Sequence, residues 1–485
     1  MEMSNVWRTA GIAGMFAAMV AVEVEAVAEV RLSSMIGDNM VLQQNSNARI
    51  WGTADPGEKV TVIPSWDGKK YETVTDRTGD WSLAVATPAG LLTPMSMQIY
   101  GEGGPARNLN NILIGEVWLA SGQSNMEMPL SGFDGCIVKD GYKEIAAAND
   151  YAGKVRFFTV PKAQSFVPLD TVNSRWTVPS PDTAPQYSAV GWHFAKQLSD
   201  VLQVPVGIVS DAYGGAKVES WMPRDVLRNY PDINLDEEAV MVYQPDYHRP
   251  MLMYNAMFNP VKNYTYRGIL WYQGCSNVGL ADTYAERLAA MVRTWRDEIG
   301  LGDIPFYAVE IAPYDYGDDQ SPYLRLAQWD AVKRIPNADM ICTNDLAQPY
   351  ERRNIHPGDK ESVGCRLCDL ALNQTYGKKQ FLAGSPRYKG HRVDGDRMIV
   401  AIDSPNKGVC SNYDIRGFEI AGQDGVFHTV KPEDVQFLWQ TNEFRLTSPE
   451  VKRPMAVRYG FRDFLPGTVY GGNHLPLIPF TSEIK

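Results

Sequence analysis

Between residues 112 and 384 the chain alternates short, wholly apolar runs with longer amphipathic ones, and this alternation restricts its fold more than any other feature. Residues 112–120 read as a buried strand, 190–202 as a helix with one apolar face, 206–210 as a second strand and 269–272 as a third. Strands separated by helices predict an α/β region built on a mostly parallel sheet. In such sheets ligands gather in the loops beyond the carboxyl ends of the strands, so the residues that follow each strand are where chemistry is to be sought.

The flanks have a different rhythm. Lys59-Val60-Thr61-Val62, Tyr71-Glu72-Thr73-Val74-Thr75 and Trp81-Ser82-Leu83-Ala84-Val85 read as short strands, with Thr78-Gly79-Asp80 as a turn, and together they predict a small β-sandwich. Beyond residue 385, Arg397-Met398-Ile399-Val400-Ala401-Ile402 and Met455-Ala456-Val457-Arg458-Tyr459 read the same way. A chain of 485 residues exceeds one ordinary core. The expected division is an export signal over 1–28, a β-rich domain over 29–111, the α/β domain over 112–384 and a second β-rich module over 385–485.

Export is expected because Arg8 precedes an apolar run over residues 10–22, and Ala26-Val27-Ala28 supplies the small-x-small pattern of a signal peptidase site. Glu23 and Glu25 end the run too early for a membrane anchor. The destination is therefore periplasmic or extracellular. The net charge of −11 sets the surface against phosphate backbones, so nucleic acid is excluded as a partner. Cys365-x-x-Cys368 falls in a helical stretch with no second pair to complete a zinc site, and it reads as core packing.

Three loops follow the predicted strands. Ser121-Gly122-Gln123-Ser124-Asn125-Met126 places a serine among small neighbours directly after a strand, where its oxygen and its own N–H can face a substrate. Asp211-Ala212-Tyr213-Gly214-Gly215-Ala216 offers paired glycines whose N–H groups can approach a developing oxyanion. Gln273-Gly274-Cys275-Ser276-Asn277 offers an asparagine amide for the same purpose. A serine hydroxyl needs a base. Of the six histidines, His356 in Asn354-Ile355-His356-Pro357 lies late in the α/β region and shortly before a predicted helix. His193, His248, His391, His428 and His474 read as packing or surface residues.

Taken together, these blocks resemble the sialate O-acetylesterase-like carbohydrate esterases of the SGNH hydrolase superfamily. The run from Gly115 to Met126 is similar to that family's first block, and Trp271-Tyr272-Gln273-Gly274-Cys275-Ser276-Asn277 to its Trp-Tyr-Gln-Gly-Glu-Ser-Asn block. Ile355-His356-Pro357 with Lys360, Val363-Gly364 and Arg366-Leu367 is similar to the histidine block. The flanks join in through Asn39-Met40-Val41-Leu42-Gln43-Gln44, Ile50-Trp51-Gly52, Val457-Arg458-Tyr459, Leu475-Pro476 and Pro479-Phe480. The resemblance implies a flavodoxin-like three-layer domain with flanking β modules, acting on O-acetyl esters of carbohydrates such as sialic acids or xylan without metal or organic cofactor.

It further implies Ser124 as nucleophile and His356 as base. The implied oxyanion hole draws on the Ser124 N–H, a backbone N–H at Gly214 or Gly215, and the Asn277 side chain, with Glu219 and Trp221 shaping the glycine loop. Two positions depart from the pattern: Cys275 stands where the family has glutamate, and Arg353 stands where many SGNH enzymes keep the triad aspartate. Asp345, then Glu351, are the candidates for the missing acid; a backbone carbonyl orienting the ring in a Ser-His dyad is the other solution. These departures also motivate a rival reading, a catalytically impaired carbohydrate-binding protein on an esterase scaffold.

Overall fold

The computed structural model describes residues 29–405, 408–410 and 414–482, so the expected signal and its cleavage site lie outside the described residues. One strand, Arg107–Gly122, organises much of the molecule. Its first half pairs antiparallel with Leu91–Gly101, which in turn pairs with Lys59–Pro64, while Val41–Gln43 lies parallel to its middle. Its second half is the centre of a sheet ordered Trp176–Thr177, Val155–Thr159, Val206–Ala212, Arg107–Gly122, Gly268–Tyr272, Phe306–Val309, Ala338–Ile341. Every pairing in that order is parallel except the outermost one, Trp176–Thr177 with Val155–Thr159. The boundary expected near residue 111 therefore runs through a continuous strand, because the same backbone satisfies hydrogen bonds in both regions.

Alternation along the second half of this strand explains why the region needs two helical covers. Val117 and Leu119 join a core with Leu288, Met291, Val292 and Trp295 of helix Ala281–Ile299. Trp118 and Ala120 point the other way, into a core with Val190 and Phe194 of helix Ala189–Leu202 and Val363 and Leu367 of helix Lys360–Gln374. A strand buried on both faces must read as continuously apolar, which is the pattern that identified it. Ser188 caps the Ala189–Leu202 helix by accepting from the Gly191 N–H, and Asp359 caps Lys360–Gln374 through the Ser362 N–H.

The carboxyl-terminal region forms two antiparallel four-stranded sheets. Met398 and Val400 from one and Phe418, Ile420 and Val457 from the other meet in a common core. This region docks through Asp463, whose carboxylate accepts the N–H groups of Gly317, Asp318, Asp319 and Ser321. Buried Arg325 reciprocates by donating to the carbonyls of Arg462 and Asp463. Cys365 and Cys368 both lie in helix Lys360–Gln374, and none of the six cysteines is in a disulfide.

Candidate active site

The strand Arg107–Gly122 ends at a glycine whose φ is +135° and where a Cβ would collide with the Tyr272 carbonyl at 2.2 Å. Only glycine fits such a backbone and such an approach. The chain then turns through Gln123, whose Oε1 accepts the Gly274 N–H at 2.9 Å, and Gly122 accepts the Tyr213 N–H at 3.1 Å. Three loops far apart in sequence are thereby stitched together at the carboxyl edge of the sheet. Ser124 opens the short helix Ser124–Glu127.

His356 arrives from the opposite side, and its Nε2 lies 2.8 Å from Ser124 Oγ. Its backbone is gripped by Asn354, whose Oδ1 accepts the His356 N–H at 3.0 Å while its Nδ2 donates to the His356 carbonyl at 2.9 Å. Phe133 packs edge-on against the ring, with centroids 5.2 Å apart. A second link runs beneath the pair: buried Lys360 donates to Asn125 Oδ1 at 2.6 Å, and Asn125 Nδ2 donates to the Ile355 carbonyl at 2.9 Å. The neighbours of Ser124 and His356 are thus tied through one asparagine and one cation.

Electrostatics make the imidazole a free base. Burial, and after it the Lys360 ammonium, lowers the His356 pKa to about 4. Burial likewise pushes Lys360 down to about 7, opposed by acidic groups that include Cys275. A neutral imidazole that accepts at Nε2 carries its proton on Nδ1, the tautomer a base for Ser124 requires.

The expected acid is elsewhere. Both carboxylate oxygens of Asp345 accept from Arg366, each at 2.7 Å, in a nearly buried bidentate pair. Glu351 is spent on the Gln348 and Gly358 N–H groups, each at 2.8 Å. Arg353 is exposed. Among the described residues no carboxylate hydrogen-bonds the His356 ring, and none contributes to its pKa shift.

The expected oxyanion donors divide in the same way. Ser124 N–H stands at the start of its helical turn with no backbone partner among the described residues. Gly214 N–H is taken, because it donates to Glu127 Oε2 at 2.6 Å, and the other Glu127 oxygen pairs with Lys162 at 2.9 Å. Gly215 has φ of +78°, and a Cβ there would meet the Tyr247 ring at 2.5 Å, which accounts for its being glycine. Asn277 sits in a buried network: its Nδ2 donates to Glu219 Oε2 at 3.0 Å, its Oδ1 accepts from Val218 N and Gln273 Nε2, and Glu219 is held by Arg287. One Asn277 amide hydrogen is left over for other use. Glu127 was not anticipated from the sequence, although its place three residues after Ser124 on a helical turn puts both on one face.

Residues 114–372 match the family described as carbohydrate esterase, sialic acid-specific acetylesterase. The sialate O-acetylesterase of Mus musculus is 30% identical over 417 residues, covering 73% of this chain and 75% of that protein. The human sialate O-acetylesterase is 28% identical over 396 residues, with 73% of each chain covered. A crystal structure of a carbohydrate acetylesterase from Xanthomonas citri superimposes with a TM-score of 0.83 at 30% identity, over 94% of this chain and 100% of that one.

Proposed function

The chain belongs to the sialic acid-specific acetylesterase family of carbohydrate esterases, and on that premise we propose that it hydrolyses O-acetyl esters of sugars through Ser124 and His356. The observation that carries this reading is the 2.8 Å contact between His356 Nε2 and Ser124 Oγ at the carboxyl edge of the parallel sheet. His356 takes the hydroxyl proton as Oγ attacks the acetyl carbonyl, then returns it to the departing sugar oxygen. Water, deprotonated by the same imidazole, releases acetate and restores the serine.

The Ser124 N–H supports the tetrahedral oxyanion, joined by Gly215, by the spare hydrogen of Asn277, and by Gly214 once Glu127 swings onto Lys162 alone. His356 and Ser124 work as a dyad. The Asn354 grip on the His356 backbone and the commitment of Asp345 to Arg366 favour that version over a complete triad. The sheet with helices on both faces supports a three-layer SGNH domain, with a β-rich module over 385–485 and an amino-terminal β-rich module that shares the strand Arg107–Gly122 with it. Export to the periplasm or exterior fits an action on glycans, and no helix among the described residues is long and apolar enough to cross a membrane.

Acetate release from a panel of acetylated sialosides, xylan fragments and other plant glycans tests the reading and ranks the substrates. Release from none of them by folded protein, with Ser124→Ala indistinguishable from the parent, would leave the binding-protein alternative standing.

A further inference from the structure

A sizeable cavity of the described structure lies away from Ser124. It is an open groove of about 1050 Å³, at the upper end of the range of small-molecule sites, where the amino-terminal β region meets the α/β region. One wall comes from strands Arg31–Leu32, Asn47–Thr53 and Asp80–Ala86; the other comes from the stretches 168–171 and 259–263. Trp51 on the first wall packs edge-on against Tyr264, and Tyr264 donates to the Val41 carbonyl beside Leu113 of the nucleophile strand. From Leu113 to Ser124 that strand and turn cover on the order of 30 Å, at a rise of roughly 3.3 Å per residue. The groove is a separate site.

Its lining has a definite chemistry. Arg31, Arg49 and Lys262 are matched in charge by Asp76, Asp80 and Asp170. Arg49 is spent on the Ile299 and Asn263 carbonyls, Lys262 on Glu298, and Asp76 and Asp80 on the turn they flank. That leaves the side chains of exposed Arg31, Asp170 and Asn263 with no hydrogen-bonded or ionic partner among the described residues. Half-buried Trp51 supplies an aromatic surface, and the Trp81 indole N–H, in a residue 4% exposed, is buried in the lining without an acceptor. The exposed Arg31, Asp170 and Asn263 side chains in the lining favour a ligand that brings hydroxyl groups.

We propose that this groove is a second carbohydrate site, which holds a neutral oligosaccharide segment at a distance from the acetyl group being removed. A pyranose presents an apolar C–H face to an aromatic ring and a rim of hydroxyls to Arg31, Asp170 and Asn263. The balanced charge suits an uncharged chain better than a polyanion. The inference rests on the glycan-directed reading of the catalytic site and adds to it: a polymer held at both places gains effective concentration at Ser124, whereas a small ester gains nothing.

The test separates the two readings. The full chain carrying Ser124→Ala is titrated calorimetrically with xylohexaose, cellohexaose, mannohexaose and a sialylated hexasaccharide, and then again with Trp51→Ala, Arg31→Ala or Asp170→Ala added. A neutral hexasaccharide should bind, with affinity at least tenfold weaker after Trp51→Ala and severalfold weaker after either surface change. In the active enzyme Trp51→Ala should leave turnover of a small aryl acetate unchanged and raise KM for an acetylated polymer. Should Trp51→Ala fail to fold, the exposed Arg31 and Asp170 variants decide. Absence of binding, binding indifferent to these substitutions, or preference for the sialylated probe each overturns the proposal. Failure of the esterase reading would appear as absent acetate release from the active chain and leaves the calorimetric result unaffected.

Discussion

Glu127 Oε2 accepts the Gly214 N–H at 2.6 Å, so a carboxylate occupies one of the donors proposed for the oxyanion beside Ser124. A Cβ built on Gly214 would lie 3.0 Å from that oxygen and 3.6 Å from Ser124 Cβ, which places the glycine between the two side chains. One N–H cannot serve both partners, and a fixed negative charge repels the charge that develops in the transition state. Glu127→Gln keeps the volume and an acceptor but removes the charge. Its kcat for a small acetyl ester should rise severalfold, as read by steady-state acetate release. An unchanged or lower kcat in folded protein would take Gly214 out of the oxyanion hole.

Ser124→Ala and His356→Ala should each lower kcat for an acetyl ester by at least about 10³-fold, with circular dichroism and Tm near those of the parent. The double variant should be no worse than either single one, because a nucleophile and its base act as one unit. Additive losses would mean that the 2.8 Å contact is incidental.

Asp345→Asn distinguishes a structural carboxylate from a catalytic one. Arg366 is nearly buried, and the substitution removes the charge of its partner, leaving it one amide oxygen and the Cys342 carbonyl as neutral acceptors. The expected result is a loss of about 3 kcal/mol in unfolding free energy, the scale for breaking a buried pair, with kcat of the folded fraction within a fewfold of the parent. A collapse of kcat at unchanged stability would instead assign Asp345 to the imidazole. Glu351→Gln should behave in the same direction, through loss of its grip on Gln348 and Gly358.

The sheet was legible in the chain because residues 112–120, 206–210 and 269–272 are buried on both sides and so read as unbroken apolar runs. The strand Ala338–Ile341 escaped because Asp339 breaks a run of only four residues, whereas Phe306–Val309 is as short, apolar and buried as 269–272, and such a run by itself does not separate a strand from a buried helix segment. Ser124 and His356 were legible through their positions after a strand and before a helix, and their contact bears out nothing more than proximity. The partners of Asp345, Asn277 and Gly214 were not legible, since each depends on a residue brought in by tertiary packing: Arg366, Glu219 and Glu127. Sequence spacing can nominate a donor but cannot show whether the protein has already used it.

The pH profile follows from the environment of His356. With its pKa lowered to about 4 by burial and Lys360, the imidazole is neutral, and so competent as a base, at every pH above that value. The acid limb of kcat/KM should therefore fall near pH 4, well below the ordinary histidine value of about 6.5. Activity at pH 5.5 should be close to the plateau. A limb near 6.5 would mean that a carboxylate reaches the ring in solution, which would reopen the triad.

Cys275 extends that argument to a second buried neighbour of Lys360. Burial raises the Cys275 thiol, whereas a glutamate at this position would add a carboxylate to the surroundings of Lys360, whose ammonium lowers the His356 pKa. Cys275→Glu places a carboxylate against the lysine. The imidazolium then becomes easier to form, and the acid limb of kcat/KM should move up by about one unit. Lys360 itself loses its proton only near pH 7, where His356 is already neutral, so its own titration leaves the acid limb alone. Cys275→Ala is the matched control and should leave the limb in place. If the glutamate variant folds and its limb stays with the control, the field of Lys360 does not reach the imidazole, and burial alone must account for the low pKa.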